Sequence, residues 1–75
     1  MKDSKFVICI ENTKYPASLE KRKIYEVLPD AAAEKIGLIR VVDESGEDYL
    51  YPAACFIDAN LSRETLDAVT KAVNL

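Results

Sequence analysis

The chain has 75 residues and a mass of 8.4 kDa, with 10 basic and 13 acidic side chains, no His, no Trp and two Cys. That length has room for one hydrophobic core, so 1–75 reads as a single domain, and a hydrophobic fraction of 49% beside a charged fraction of 31% is a globular composition. A net charge of −3 works against nucleic acid, which demands a clustered basic face, and the longest apolar run, Phe6 to Ile10, is far short of the roughly 20 residues that span a bilayer.

Met1-Lys2-Asp3-Ser4-Lys5 lacks the apolar stretch and small-residue cleavage site of a secretory signal, so the expected location is cytoplasmic. Lys5–Glu11 is rich in β-branched and aromatic residues and predicts a strand, apolar on both faces and therefore covered on both. Residues 12–18 form a loop, because Pro16 pushes Tyr15 toward extended geometry and Asn12, Thr13 and Ser18 favour local turns. Leu19–Lys23 shows no clear period, and strand composition resumes over 22–28 until Pro29 stops it.

Asp30 as cap, three alanines and an exit at Gly37 predict a short helix over 30–36. Residues 38–43 and 48–51 predict a β-hairpin around Glu44-Ser45-Gly46-Glu47, with Gly46 supplying the positive φ. Pro52-Ala53-Ala54-Cys55 interrupts the ladder, and a last short strand follows at 56–58. A helix over 63–74 has Ser62 as N-cap, Leu61 and Leu66 at staple positions, and Leu66, Val69 and Val73 as its apolar stripe. The division is a strand-built unit over 5–58 and a C-terminal helix within 62–75.

The stretch from Gly46 through Tyr49-Leu50-Tyr51-Pro52-Ala53-Ala54-Cys55 to Ile57 resembles the end of a Src-homology-3 domain, where an aromatic-aliphatic strand meets Pro-Ala-Ala, a 3₁₀ turn and a last strand. More specifically, the chain is similar to a group of small uncharacterised bacterial proteins sharing Lys23-Ile24-Tyr25-Glu26-Val27-Leu28-Pro29-Asp30 and the run from Arg40 to Pro52. The likeness covers roughly residues 5 to 58. It implies a mainly β fold, a small five-stranded Src-homology-3-like barrel with a C-terminal α-helix, and it implies no activity. By the same resemblance Tyr51 and Phe56 point into the core, and Pro52 and Cys55 toward the surface. The chain departs from true Src-homology-3 domains in having no Trp, no Ala-Leu-Tyr-Asp-Tyr-like motif, and Cys55 where they carry an aromatic residue.

Chemistry-bearing groups are few. Without His there is no side chain whose ordinary pKa suits general base work near neutrality, and with glycines only at 37 and 46 there is no phosphate loop. Cys9 and Cys55, 46 residues apart, make neither a metal knuckle nor a redox pair and are expected as free thiols. The apolar neighbours of Cys55 raise its pKa instead of activating it. Asp43, Glu44, Glu47 and Asp48 lack calcium-loop spacing and read as a solvated hairpin tip, while Lys21-Arg22-Lys23 reads as protection of an exposed strand edge.

No enzyme, cofactor or metal is expected. The reading is a non-catalytic protein-interaction module, binding an unidentified protein through a patch of Tyr15, Leu50 and Pro52, because tyrosine combines a large apolar ring with a polar tip. Two alternatives stand beside it: a nucleic-acid-binding small barrel, and a structural homodimer in which the helix stripe pairs with its twin.

Overall fold

Short runs of β-branched and aromatic residues, broken by proline and by turn-forming residues, fold here into a curled antiparallel sheet. The computed structural model describes residues 5–73, and for Val73 the backbone alone. The elements are β1 (Lys5–Cys9), β2 (Ile24–Leu28), α1 (Ala31–Glu34), β3 (Leu38–Val42), β4 (Asp48–Pro52), a 3₁₀ turn (Ala53–Cys55), β5 (Phe56–Asp58) and α2 (Arg63–Val73). All pairings are antiparallel, in the order β4-β3-β2-β1-β5. The result is a mainly β half-barrel with a C-terminal helix. No helix among the described residues is long and apolar enough to cross a membrane.

The expected elements all form; β1, β2, α1 and β3 are shorter than expected, and β4 runs one residue further, because Pro52 stays in the ladder opposite Leu38 and the interruption begins only at Ala53. β1 stops at Cys9 and β2 starts at Ile24, because Arg22 takes a left-handed φ of 75° in the intervening turn and donates its amide to the Cys9 carbonyl. Asp30 caps α1 by accepting from the Ala33 amide at 3.0 Å. In α2, Ser62 accepts from the Thr65 amide at 3.2 Å, as an N-cap should. Asn74, the last residue of the expected helix, lies outside the described residues, as does the side chain of Val73.

Gly46 closes the β3–β4 turn at φ +83°, and a Cβ there meets nothing within 4 Å. Replacement by alanine therefore costs only backbone strain. We expect Gly46→Ala to lower stability by about 1 kcal/mol, read as a urea midpoint shift with unchanged slope. A neutral result would mean the turn readily changes type.

The core sits on the concave face, where Val7, Cys9, Tyr25, Val27, Val41, Tyr51, Cys55 and Phe56 form one cluster. Leu19, from the loop between β1 and β2, completes it at 1% exposure. Tyr51 and Phe56 point inward as expected. Cys55 does not point outward: it is buried beside Cys9, both are free thiols, and burial pushes the Cys55 thiol up.

Phe6 is buried yet stands apart from that cluster, because strand alternation places it on the outer face opposite Glu26. It shares cleft walls with Leu61, Leu66 and Val69, so the α2 stripe is applied to the chain's own sheet. The expectation that the strand over Lys5–Glu11 is covered on both faces holds at Phe6 and fails at Ile10, which lies just past the end of β1 and is exposed.

Candidate functional site

The loop after β1 is the longest irregular segment between strands, and it is firmly tied. The Tyr15 carbonyl accepts from Ser18 at 3.1 Å and Leu19 at 3.0 Å, Asn12 Nδ2 donates to the Leu19 carbonyl at 3.0 Å, and the Glu44 amide donates to the Ser18 carbonyl at 3.1 Å. Leu19 anchors the loop's far end in the core. Held from both sides, Tyr15 stands edge-on to Tyr51, ring centroids 5.0 Å apart and planes at 90°.

A cleft of about 290 Å³ opens beside this ring pair, lined by Glu11, Thr13, Lys14, Tyr15, Pro52 and Cys55. The fold thus brings together two of the three expected patch residues, Tyr15 and Pro52, from positions 37 residues apart. Leu50 is not brought there. It pairs with Arg40 across β3 and β4, and strand alternation turns it away from the face that carries Tyr51. Pro52 is half-buried and forms one wall of the cleft, with the largely buried Cys55 beneath. Glu11 is held by the Thr13 amide at 3.1 Å and by the Thr13 hydroxyl, which keep its carboxyl below the usual range.

Under the cleft the aromatics continue: Tyr51 meets Phe56 at 6.3 Å and Phe56 meets Tyr25 at 6.5 Å, both edge-to-face. The hydroxyls of Tyr51 and Tyr25 both end on carboxylates. Tyr51 donates to Asp43 at 2.5 Å, and Tyr25 donates to Glu44 at 2.5 Å while accepting the Glu20 amide at 2.7 Å. Burial, followed by these carboxylate partners, pushes both phenols up.

The acidic hairpin tip is solvated at Glu44, Glu47 and Asp48, as expected, but not at Asp43. Asp43 is only 7% exposed and accepts from Ser45 twice, at 2.8 Å from the amide and 2.6 Å from the hydroxyl. Burial alone raises its carboxyl, but the bonds from the Ser45 hydroxyl, the Tyr51 hydroxyl and the Ser45 amide outweigh this and hold it below the usual range. Glu44 takes Lys23 at 2.7 Å, Glu47 takes the Tyr49 hydroxyl at 2.9 Å, and Asp48 takes Arg40 at 3.0 Å. Sequence reasoning missed Asp43 and Leu19. The available signals were a lone apolar residue in a polar loop, and an Asp-x-Ser turn preceding a tyrosine strand.

The basic cluster does not guard an edge. Lys21–Lys23 lead into β2, an interior strand, and Lys23 pairs with Glu44 and lies 5.8 Å from the centre of the Tyr25 ring. Among the described residues no group of three or more His, Cys, Asp or Glu is arranged to hold a metal ion. A larger cleft, about 370 Å³, opens near Val7, Val27 and Ile39, with Lys5 and Glu34 among its lining, but it has no aromatic anchor. Comparisons of the chain with protein-family models, with curated proteins and with solved structures found no match.

Proposed function

We propose that the protein is a non-catalytic interaction module of the Src-homology-3-like kind, acting in the cytoplasm, and that it grips a partner protein in the Tyr15–Pro52 cleft. The observation that carries this reading is the Tyr15 ring, half-buried and fixed edge-on to Tyr51, with Pro52 and Cys55 completing an apolar recess. A rigid aromatic anchor beside an apolar recess is the surface from which interface energy comes, since such residues lose little entropy on binding. Lys14 and Glu11 at the cleft offer one charge of each sign, which suits an extended peptide with an apolar side chain between polar neighbours.

Nucleic acid is the weaker reading. Lys23 is paired with Glu44 and Arg40 with Asp30 and Asp48, which removes them from any array of cations available to phosphates.

The test is a screen of a random extended-peptide library on the immobilised full chain, followed by chemical-shift mapping of a selected peptide. Shifts are expected at Tyr15, Pro52 and Cys55. Tyr15→Ala should weaken the complex at least about tenfold, while removal of the ring contact costs only about 1 kcal/mol of stability. Peptides that map elsewhere, or bind equally well to a folded Tyr15→Ala variant, would remove the proposal.

A further inference from the structure

β4 is a terminal strand of the sheet and has β3 as its one neighbour. The hydrogen-bond pattern fixes which of its backbone groups are spent on that neighbour. The Ala53 amide donates to the Gly37 carbonyl at 2.9 Å beyond one end of the ladder, and the Asp43 amide donates to the Glu47 carbonyl at 3.0 Å beyond the other. Bonded and non-bonded pairs alternate between these limits. Ile39 with Tyr51 and Val41 with Tyr49 therefore exchange bonds, whereas Leu38 with Pro52, Arg40 with Leu50 and Val42 with Asp48 do not. The N–H and C=O groups of Asp48 and Leu50, and the C=O of Pro52, point away from the sheet. Pro52 costs the ladder nothing, because the N–H it lacks would have faced outward.

We infer that this edge takes up an extended segment of the partner protein as an added antiparallel strand, an inference that rests on the Tyr15–Pro52 cleft being the partner site. The first argument is continuity. Pro52 is both the last residue of β4 and a wall of the cleft, so a chain lying in the cleft is led on to the edge. The second is the absence of the usual protection. Edge strands that avoid pairing are very short, bulged or guarded by lysine. β5, at the other side of the sheet, has three residues, but β4 has five and no lysine. Its one charged residue, Asp48, is drawn to Arg40 of its own sheet at 3.0 Å. Tyr49, 50% exposed, and Leu50, 40% exposed, lie on opposite faces and flank the alternate side chains of an added strand.

The chemistry of the segment follows from the register. The residue opposite Leu50 exchanges both bonds with it and so must carry an N–H, which a polyproline segment lacks. The next residue toward the hairpin tip stands beside the Tyr49 ring and is apolar. Two positions further on, the segment meets Glu47, which is exposed, accepts from the Tyr49 hydroxyl and has no cationic partner among the described residues, so a basic residue fits there. A second copy of the chain fits less well. Two β4 strands paired about Leu50 set Pro52 of each against Asp48 of the other, whose carbonyl then meets no N–H.

Peptides selected from the extended-peptide library on the immobilised full chain are the probes, each remade with a single backbone N-methyl group at successive positions. An alternation is expected: a methyl group on an N–H that faces β4 should weaken binding at least about tenfold, and one at the intervening positions less than about twofold. Leu50→Pro removes an outward N–H and no bond to β3, so the same peptides should bind at least about tenfold more weakly to a variant with unchanged circular dichroism. Should that variant not fold, the methyl scan decides alone. A scan without alternation overturns the inference, and if Tyr15 and Cys55 still shift, the cleft stands without it. Alternation with shifts confined to Asp48 and Leu50 upholds the added strand and removes the cleft. Selection of no peptide overturns both. A full chain that dimerises in sedimentation and is made monomeric by Leu50→Pro overturns the inference too, since the edge would then belong to a second copy.

Discussion

Leu19→Ala is expected to remove about 3 kcal/mol of unfolding free energy, the usual range for truncating a buried leucine being about 2–5 kcal/mol. A 75-residue domain holds roughly 4–11 kcal/mol in all at about 0.05–0.15 kcal/mol per residue, so this one side chain decides a large share of the total. Leu19 is 1% exposed and lies in the core cluster with Val41 and Cys9, although it comes from a loop. A thermal melt should fall by about 15 °C, since each kcal/mol moves the midpoint about 4–8 °C at this size. Leu50→Ala, at a position 40% exposed, is the control and should move it little. A drop below about 5 °C for Leu19→Ala would mean that the loop closes over the core without it. The same substitution should loosen the cleft, because the Leu19 amide and carbonyl both hold the turn that carries Tyr15.

Leu19 also shows where sequence reasoning stops. The β3–β4 hairpin, the Asp30 and Ser62 caps, the short last strand and the α2 stripe were all legible, because each is set by neighbours within a few residues: Gly46 at the turn, alanines after Asp30, proline before the 3₁₀ turn. The burial of Leu19 depends on the curl of strands that begin and end elsewhere in the chain. Being the lone apolar residue of a polar loop is the one local hint, and it does not say which part of the core Leu19 would enter. The candidate site divides in the same way. Tyr15 beside Pro16 in a loop is a visible surface aromatic, whereas its meeting with Pro52 depends on how the 3₁₀ turn folds back. Leu50 was grouped with Pro52 through sequence proximity, and period-2 alternation together with the register against Arg40 puts it on the far face. Ile8, Ile24 and Ile57 are the extreme case: these positions have no local relation and become neighbours only through the register of β1 against β2 and β5.

The Asp43 carboxylate carries the second large effect, and the reason is asymmetry between making and breaking a buried polar bond. It accepts from the Tyr51 hydroxyl and from the amide and hydroxyl of Ser45, so Asp43→Ala leaves the buried Tyr51 hydroxyl without its acceptor and should cost about 2–3 kcal/mol. Tyr51→Phe removes one donor of three and should cost about 1 kcal/mol, and the double variant should lose less than the two together, by a coupling of about 1 kcal/mol. pH separates this network from simple packing. The folded Asp43 carboxyl lies below its ordinary value of 3.8, so the unfolded chain binds more protons in that window and stability rises with pH across it. The contribution is complete above the ordinary value and is lost as pH falls through the lower, folded value. Between about pH 2 and about pH 5, Asp43→Asn should therefore flatten the slope of unfolding free energy against pH relative to the parent chain. Parallel slopes, or an Asp43→Ala variant within about 0.5 kcal/mol of the parent, an ordinary surface value, would mean that the hairpin tip is held by its backbone alone.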